Sequence, residues 1–120
     1  MIKPSPSKIR AWHRMIAEYV EIYGPVVEGR GRVQFHHVRG RTFRHNKILV
    51  GPWFLIPLPS SIHDYHEEGQ FNVTNFWKNF VEEYGPQRVL WMNMIDRMKD
   101  KGWVLPFGQD VIDAVLDTRY

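Results

Sequence analysis

Residues 34–67 read QFHHVRGRTFRHNKILVGPWFLIPLPSSIHDYHE and contain five of the six histidines of the chain. Four of these five form two close groups, His36-His37 and His63-x-x-His66. The sequence between the groups is first basic and glycine-bearing and then strongly apolar. We interpret the pattern as a strand that carries the first group, a loop, an apolar strand and a short helix that carries His63. Such a unit can hold one metal ion between its first strand and its helix.

The remaining segments predict one domain of α+β class built around this unit. Apolar residues at helical spacing indicate an N-terminal helix of roughly 18 residues, with Ser5 and Pro6 at its start and Gly24 at its end. His13, inside this helix, is interpreted as a surface or packed histidine. The predicted divisions are an N-terminal helix within 1–25, the strand–loop–strand–helix core over 33–68 and C-terminal helices within 74–120. The core is expected to have strands at 33–38 and 53–58. The C-terminal helices are expected at 75–84, 87–100 and 109–117.

Composition narrows the class of protein and the kind of site. The hydrophobic fraction of 43% is typical of a globular chain and not of a disordered one. No apolar run approaches the roughly 18 residues that span a bilayer, and the N-terminus lacks a signal-peptide core, so we expect a cytoplasmic protein without a membrane partner. The chain has no cysteine, so a metal would have to be bound by histidine, carboxylate or water.

Positive charge is concentrated around the histidines. Residues 29–63 contain no acidic residue, whereas the whole chain has 16 basic and 13 acidic residues, so the remainder is net negative. A cationic surface around a candidate site suits a polyanion such as DNA. The basic residues of this segment are Arg30, Arg32, Arg39, Arg41, Arg44 and Lys47.

The two histidine groups differ in what their spacing allows. Neighbouring residues on a strand point to opposite faces, so His36 and His37 suit one metal ligand and one catalytic base better than two ligands. On a helix, His63 shares a face with His66 and also with Glu67, and either pair could give two ligands to one ion. Asn46, in the connection over 39–52, could sit in a turn or hydrogen-bond a histidine.

The pattern of His36-His37, an apolar Ile-Pro-Leu strand and a helical histidine resembles the HNH, or ββα-metal, nucleases. More narrowly, it is similar to phage proteins related to the Ref recombination-enhancement nuclease, and Asn72 to Gln87 also looks like small phage relatives of that group. The resemblance covers roughly 33–90 and implies a ββα-metal core surrounded by additional helices. It implies a phage-encoded DNA endonuclease that hydrolyses phosphodiester bonds, with DNA and a recombinase filament as expected partners.

Carried over by position, the resemblance implies that His36 is a metal ligand and His37 the general base. It implies a further ligand at His63 and a last one at Glu67, with His66 as the alternative. The family's middle Asn or Asp, which orients the base, should fall near 51–54, where this chain has Gly-Pro-Trp-Phe. The expected orienting group is therefore Asn46 or a backbone carbonyl near residue 51.

These residue types fit phosphodiester hydrolysis. A neutral imidazole can take a proton from water, and a divalent ion can polarise the phosphate and neutralise the leaving oxygen. Mixed imidazole and carboxylate ligation admits Mg²⁺ or Mn²⁺, with Zn²⁺ or Ni²⁺ as further options. The four cations nearest the site could bind flanking phosphates. They are Arg39, Arg41, Arg44 and Lys47.

Two other functions are compatible with the same residues. One is a DNA-binding or phage assembly module that keeps this fold without cleavage. The other is a structural or partner-binding phage protein in which the histidines only pack. Metal binding separates the nuclease and the DNA-binding module from the structural protein, and cleavage that requires His37 separates the nuclease from the module.

Overall fold

The computed structural model describes residues 4–63 and 77–120, and these ranges form an α+β fold, which confirms the predicted class. In chain order the elements are α1 (Pro6–Tyr23), β1 (Val33–His37), β2 (Arg44–His45), β3 (Ile48–Leu49), β4 (Leu55–Pro59), α2 (Ser60–His63), α3 (Trp77–Tyr84), α4 (Gln87–Asp100) and α5 (Gln109–Leu116). The helices predicted at 87–100 and 109–117 are thus confirmed to within one residue. The start predicted for the helix at 75–84 lies outside the described residues.

Helix α1 has the predicted length of 18 residues because both of its ends are encoded locally. The side chain of Ser5 accepts a hydrogen bond from the backbone N–H of Lys8, and proline occupies the first turn. Gly24 ends the helix with a φ of 79°, a conformation that glycine adopts without a steric penalty. The inner face buries Trp12 and Ile16 completely.

The predicted strand–loop–strand–helix order is present. Strand β1 pairs antiparallel with β4, and the register places His36 opposite Ile56 and His37 opposite Leu55. Strand β4 begins two residues later than predicted, because Trp53 lies in a turn. Helix α2 follows β4 without a linker and packs beside both strands, and its Ser60 N–H donates to the carbonyl of Arg32.

The segment expected as one long connection over 39–52 contains a second small hairpin, β2–β3, which the sequence analysis did not predict. Its two-residue turn is Asn46-Lys47, with φ values of 51° and 65°. Positive φ at both central residues is typical of the hairpin turns that match the right-handed twist of strands. Of the two alternatives left open for Asn46, the turn position is the one observed.

One backbone carbonyl connects the core to two helices. The carbonyl oxygen of Trp53 accepts the indole N–H of Trp12 from α1 at 3.1 Å and that of Trp91 from α4 at 2.9 Å. Both tryptophans are fully buried, and the ring of Phe107 contacts each of them. The turn that leads into β4 is therefore held between α1 and α4. Within the described ranges, no helix combines the length and apolar character that crossing a bilayer requires.

Candidate active site

His36 and His37 are the last two residues of β1, and their side chains leave the strand on opposite faces. The face of His37 is identified by its contacts. The ring of His13, on α1, lies 6.4 Å from the ring of His37 and 5.8 Å from that of Phe35, two residues earlier in the strand. His37 therefore faces α1, and His36 is directed to the other side of the β1–β4 pair.

His13 packs against β1, one of the two placements expected for it, but its position beside His37 was not predicted. It lies on the inner side of α1, four residues after Ile9 and three before Ile16. This helical spacing could have indicated that the side chain faces the core. Its Nε2 atom is buried and has no hydrogen-bond partner within the described residues. A buried polar atom without a partner carries a free-energy penalty of about 1–3 kcal/mol, so the position calls for an explanation.

Burial and one arginine set the charge of the two facing imidazoles. Burial, then the nearby guanidinium of Arg41, then His13 lower the pKa of His37 to about 4. Burial and Arg41 also lower the pKa of His13 below its usual value of 6.5. Both rings are therefore neutral at physiological pH, and His37 can accept a proton or a metal ion there.

The loop that carries Arg41 is held in place by a close backbone contact. A Cβ atom on Gly51 would lie 2.4 Å from the carbonyl oxygens of both Gly40 and Arg41, so only glycine fits. The Gly51 N–H also donates to the carbonyl of Phe43. This contact folds the loop back and positions Arg41 near the end of β1.

The structure has no polar side chain where the resemblance places the residue that orients the base, and at position 51 the close backbone contact admits only glycine. Residues 51–54 are all buried, and their side chains are either absent or apolar. The alternative, Asn46, donates its amide N–H to Oδ2 of Asp117 at 2.9 Å. No contact described for Asn46 leads to His37, so the structure does not support the expected orienting role of this amide.

The predicted metal ligands are described only in part. His36 is half-buried and takes part in contacts of its own. His63 is the last residue of α2, and the structure describes its backbone but not its side chain. His66 and Glu67 lie outside the described residues. Among residues 4–63 and 77–120, no three histidine or acidic side chains are grouped to hold a metal ion, so the full ligand set stays a prediction.

The basic residues around the site are on the surface. Arg39, Arg41, Arg44 and Lys47 are all exposed. The guanidinium of Arg39 lies over the ring of Tyr120, 5.1 Å from its centre, and that of Arg119 lies 5.3 Å from the same centre. Arg119 is therefore an additional cation of this surface, brought there by the fold of the C-terminal residues. We call these five residues the cationic surface.

Comparison of the chain with protein-family models, with curated proteins and with solved structures yields no match.

Proposed function

We propose that this protein is a metal-dependent DNA endonuclease of the HNH type, which hydrolyses phosphodiester bonds. The observation that carries the proposal is the placement of His36 and His37 on opposite faces at the end of β1, in an antiparallel strand pair followed directly by a helix. This placement gives two adjacent imidazoles different surroundings, so that they can serve different roles.

In the proposed reaction His37 is the general base. Its lowered pKa leaves the ring neutral, so it can take a proton from the attacking water. A base with a pKa of about 4 is weak, and the negative charge of a bound phosphodiester would raise this pKa toward a more effective value. His37 would therefore reach its full strength as a base only with substrate bound in the site.

The metal would be held on the other face of the strand pair. His36 and His63 belong to β1 and α2, which pack together, and Glu67 or His66 would supply the third ligand. Imidazole and carboxylate donors fit Mg²⁺ or Mn²⁺, and also Zn²⁺ or Ni²⁺. When bound, a divalent ion would neutralise charge on the phosphate and on the leaving oxygen.

The cationic surface supports a polyanionic substrate. Its exposed guanidinium groups can bind phosphates by two parallel hydrogen bonds, which fixes the position of a strand without reading its sequence. We infer that DNA lies across this surface with one phosphate at His37. A recombinase filament as a further partner, and a phage origin and cytoplasmic location, belong to the same proposal.

The test is cleavage of supercoiled plasmid with Mg²⁺, Mn²⁺, Zn²⁺ or Ni²⁺. His37→Ala should retain metal and DNA binding and lose roughly 10²–10⁴-fold in rate. His36→Ala should weaken metal binding itself. His45→Ala is the control for the loss of an imidazole outside the β1–β4 pair. Its DNA affinity is measured in parallel, because His45 bonds to Asp117 and so helps to hold the hairpin that carries Arg44 and Lys47. Full activity of His37→Ala would reject the base assignment.

A non-cleaving DNA-binding module is the second candidate function. The observation that favours it is the absence of a polar side chain at residues 51–54, which leaves the expected base without its usual orienting group. Tight DNA binding by the wild-type protein, with no nicking under any of the four metals, would support this module over the nuclease.

A further inference from the structure

We propose that His13 on α1 is the residue that orients His37, through a hydrogen bond between the two imidazoles. His13 is thus a positioning residue for the base, contributed by a helix outside the strand–loop–strand–helix core. The inference rests on the proposed function for its catalytic meaning, but the contact between the two rings can be tested without cleavage.

The first argument is proximity on one face. His13 contacts both Phe35 and His37, which are two residues apart in β1 and therefore point to the same side. The interplanar angle between the two imidazoles is 71°, so the edge of one ring is presented to the other. Hydrogen-bonding nitrogens lie on the edge of an imidazole, and a bond between two of them does not require coplanar rings, so this angle is compatible with a nitrogen-to-nitrogen bond.

The second argument is the unsatisfied Nε2 atom of His13. Buried polar atoms are nearly always hydrogen-bonded, and a catalytic role is one of the explanations for an exception. Leucine or phenylalanine would pack against Phe35 without this penalty. An imidazole at position 13 is therefore better explained by a bond that forms during function than by packing.

The third argument is that neither side-chain position expected to orient His37 does so, which leaves the backbone carbonyl near residue 51 as the remaining alternative. Residues 51–54 offer no polar side chain, and Asn46 donates to Asp117. The charged group next to both rings is Arg41, whose guanidinium only donates hydrogen bonds. A base histidine needs an acceptor on its N–H to fix its tautomer, and neutral His13 can supply that acceptor.

The geometry requires only a small movement. Two hydrogen-bonded imidazoles have ring centres about 5 Å apart, since a nitrogen-to-nitrogen distance of about 2.9 Å adds to about 1.1 Å within each ring. The observed separation is 6.4 Å. Catalytic hydrogen bonds are often long without substrate and tighten in the complex, and a closure of about 1.3 Å would form this one.

The experiment compares His13→Phe with His13→Gln. Phenylalanine keeps the aromatic contact with Phe35 and removes the nitrogen, whereas glutamine keeps a hydrogen-bonding group within reach. We expect His13→Phe to lower kcat by about 10-fold or more with KM unchanged, and His13→Gln to recover a large part of the loss. Should His13→Phe not fold, His13→Met replaces it with the same expectations.

Imidazole ¹⁵N spectra at a fixed pH of about 8 give the readout that needs no activity. We expect His37 to hold one tautomer in the wild type and a mixture of two in His13→Phe, with one tautomer again in His13→Gln. If the wild type proves inactive, the proposed nuclease function is rejected. The spectra then test the hydrogen bond between His13 and His37 on their own. An unchanged tautomer in His13→Phe, or wild-type kcat in that variant, would overturn the inference.

Discussion

The Nε2 atom of His45 lies 2.9 Å from Oδ2 of Asp117, although 72 residues separate the two in the chain. Asn46 donates its side-chain amide to the same oxygen. His45 and Asn46 both belong to the β2–β3 hairpin, whereas Asp117 is the C-cap of α5. The β2–β3 hairpin carries Arg44 and Lys47, two members of the cationic surface. It is therefore attached to helix α5 through the carboxylate of Asp117.

Asp117→Ala should loosen this attachment and lower the melting temperature at neutral pH. The hydrogen bonds from His45 and then Asn46 hold the pKa of Asp117 below its usual value of 3.8. A lowered carboxylate pKa stabilises the fold above the unfolded-state value, and that stability is lost as the pH falls through the folded-state value. The melting temperatures of wild type and variant should therefore converge below pH 3.8.

Thermal unfolding at a series of pH values from 7 to 2.5 measures this convergence. Asp96→Ala, an exposed carboxylate on α4, is the control and should show a smaller effect at neutral pH. A difference between wild type and Asp117→Ala that persists unchanged at the acidic end would show that the carboxylate charge is not the cause.

The parts of the fold that the sequence predicted are those encoded by neighbouring residues. Ser5, Pro6 and Gly24 determine the ends of α1 by local hydrogen bonds and φ angles, and the structure has both ends where they were expected. The order of strand, strand and helix over 33–63 likewise followed from runs of apolar residues. Local chemistry of this kind can be interpreted without knowing what packs against the element.

The features that were missed depend on distant contacts. The β2–β3 hairpin has strands of two residues each, which are too short for an alternating pattern to be recognised. His13 gains its place in the site only because α1 covers the face of β1 that carries His37. Arg119 joins the cationic surface because Tyr120 packs beneath Arg39. None of these contacts follows from residues adjacent in sequence.

His37 should make the fold less stable in mild acid. Its pKa is lowered from 6.5 to about 4, mainly by burial, so the unfolded chain binds more protons between these two values. The free energy of unfolding should therefore decrease as the pH falls from 6.5 to 4 and be constant above 6.5. We expect a loss of about 2 kcal/mol or less, because a half-buried group is partly screened by solvent.

Urea unfolding of wild type and His37→Gln between pH 4 and 8 tests this expectation. The variant lacks the titrating ring, so its free energy of unfolding should decrease less over the same interval. His13 contributes a smaller decrease of the same sign, because its pKa is also lowered. Identical pH profiles for the two proteins would contradict the burial of His37.

The two tryptophans that share the Trp53 carbonyl should be energetically coupled. Trp12→Phe and Trp91→Phe each remove one indole N–H and some buried volume, which should cost about 1–3 kcal/mol per substitution. After one substitution the carbonyl oxygen keeps the other indole as a donor. The second substitution removes that donor as well and leaves the oxygen only the backbone N–H of Leu55, at 2.9 Å. The double variant should therefore lose more than the sum of the two single losses, by about 0.5 kcal/mol.

A double-mutant cycle by urea unfolding measures the coupling. Trp103→Phe is the control, because Trp103 is only half-buried and packs at the edge of the core. If the free-energy losses of Trp12→Phe and Trp91→Phe are strictly additive, the two hydrogen bonds contribute independently although they share one acceptor oxygen.

Gly51→Ala should destabilise the protein by about 2 kcal/mol or more, because the new methyl group would clash with backbone carbonyl oxygens and not with a movable side chain. Gly40→Ala is the matched control. Gly40 has a φ of 86° but open space around it, so alanine there should cost only about 1 kcal/mol of backbone strain. Chemical unfolding compares the two variants, and equal losses would argue against the close contact at Gly51.

The cationic surface should give DNA binding a strong dependence on salt. Each phosphate neutralised by a cation releases counterions, so the logarithm of affinity falls linearly with the logarithm of salt concentration. Replacing Arg39 and Arg41 with alanine should reduce the magnitude of this slope by roughly one to two units. Fluorescence anisotropy with a labelled duplex at several salt concentrations gives the slope.

Arg10 and Lys99, exposed cations on α1 and α4, provide a control pair with the same loss of charge. Their replacement by alanine changes the net charge equally but removes no residue of the cationic surface, so the slope should remain close to that of the wild type. Equal slopes for the two double variants would show that DNA responds only to net charge. A smaller slope confined to the Arg39 and Arg41 variant would place phosphates beside His37, because Arg41 is the residue whose charge already acts on that ring.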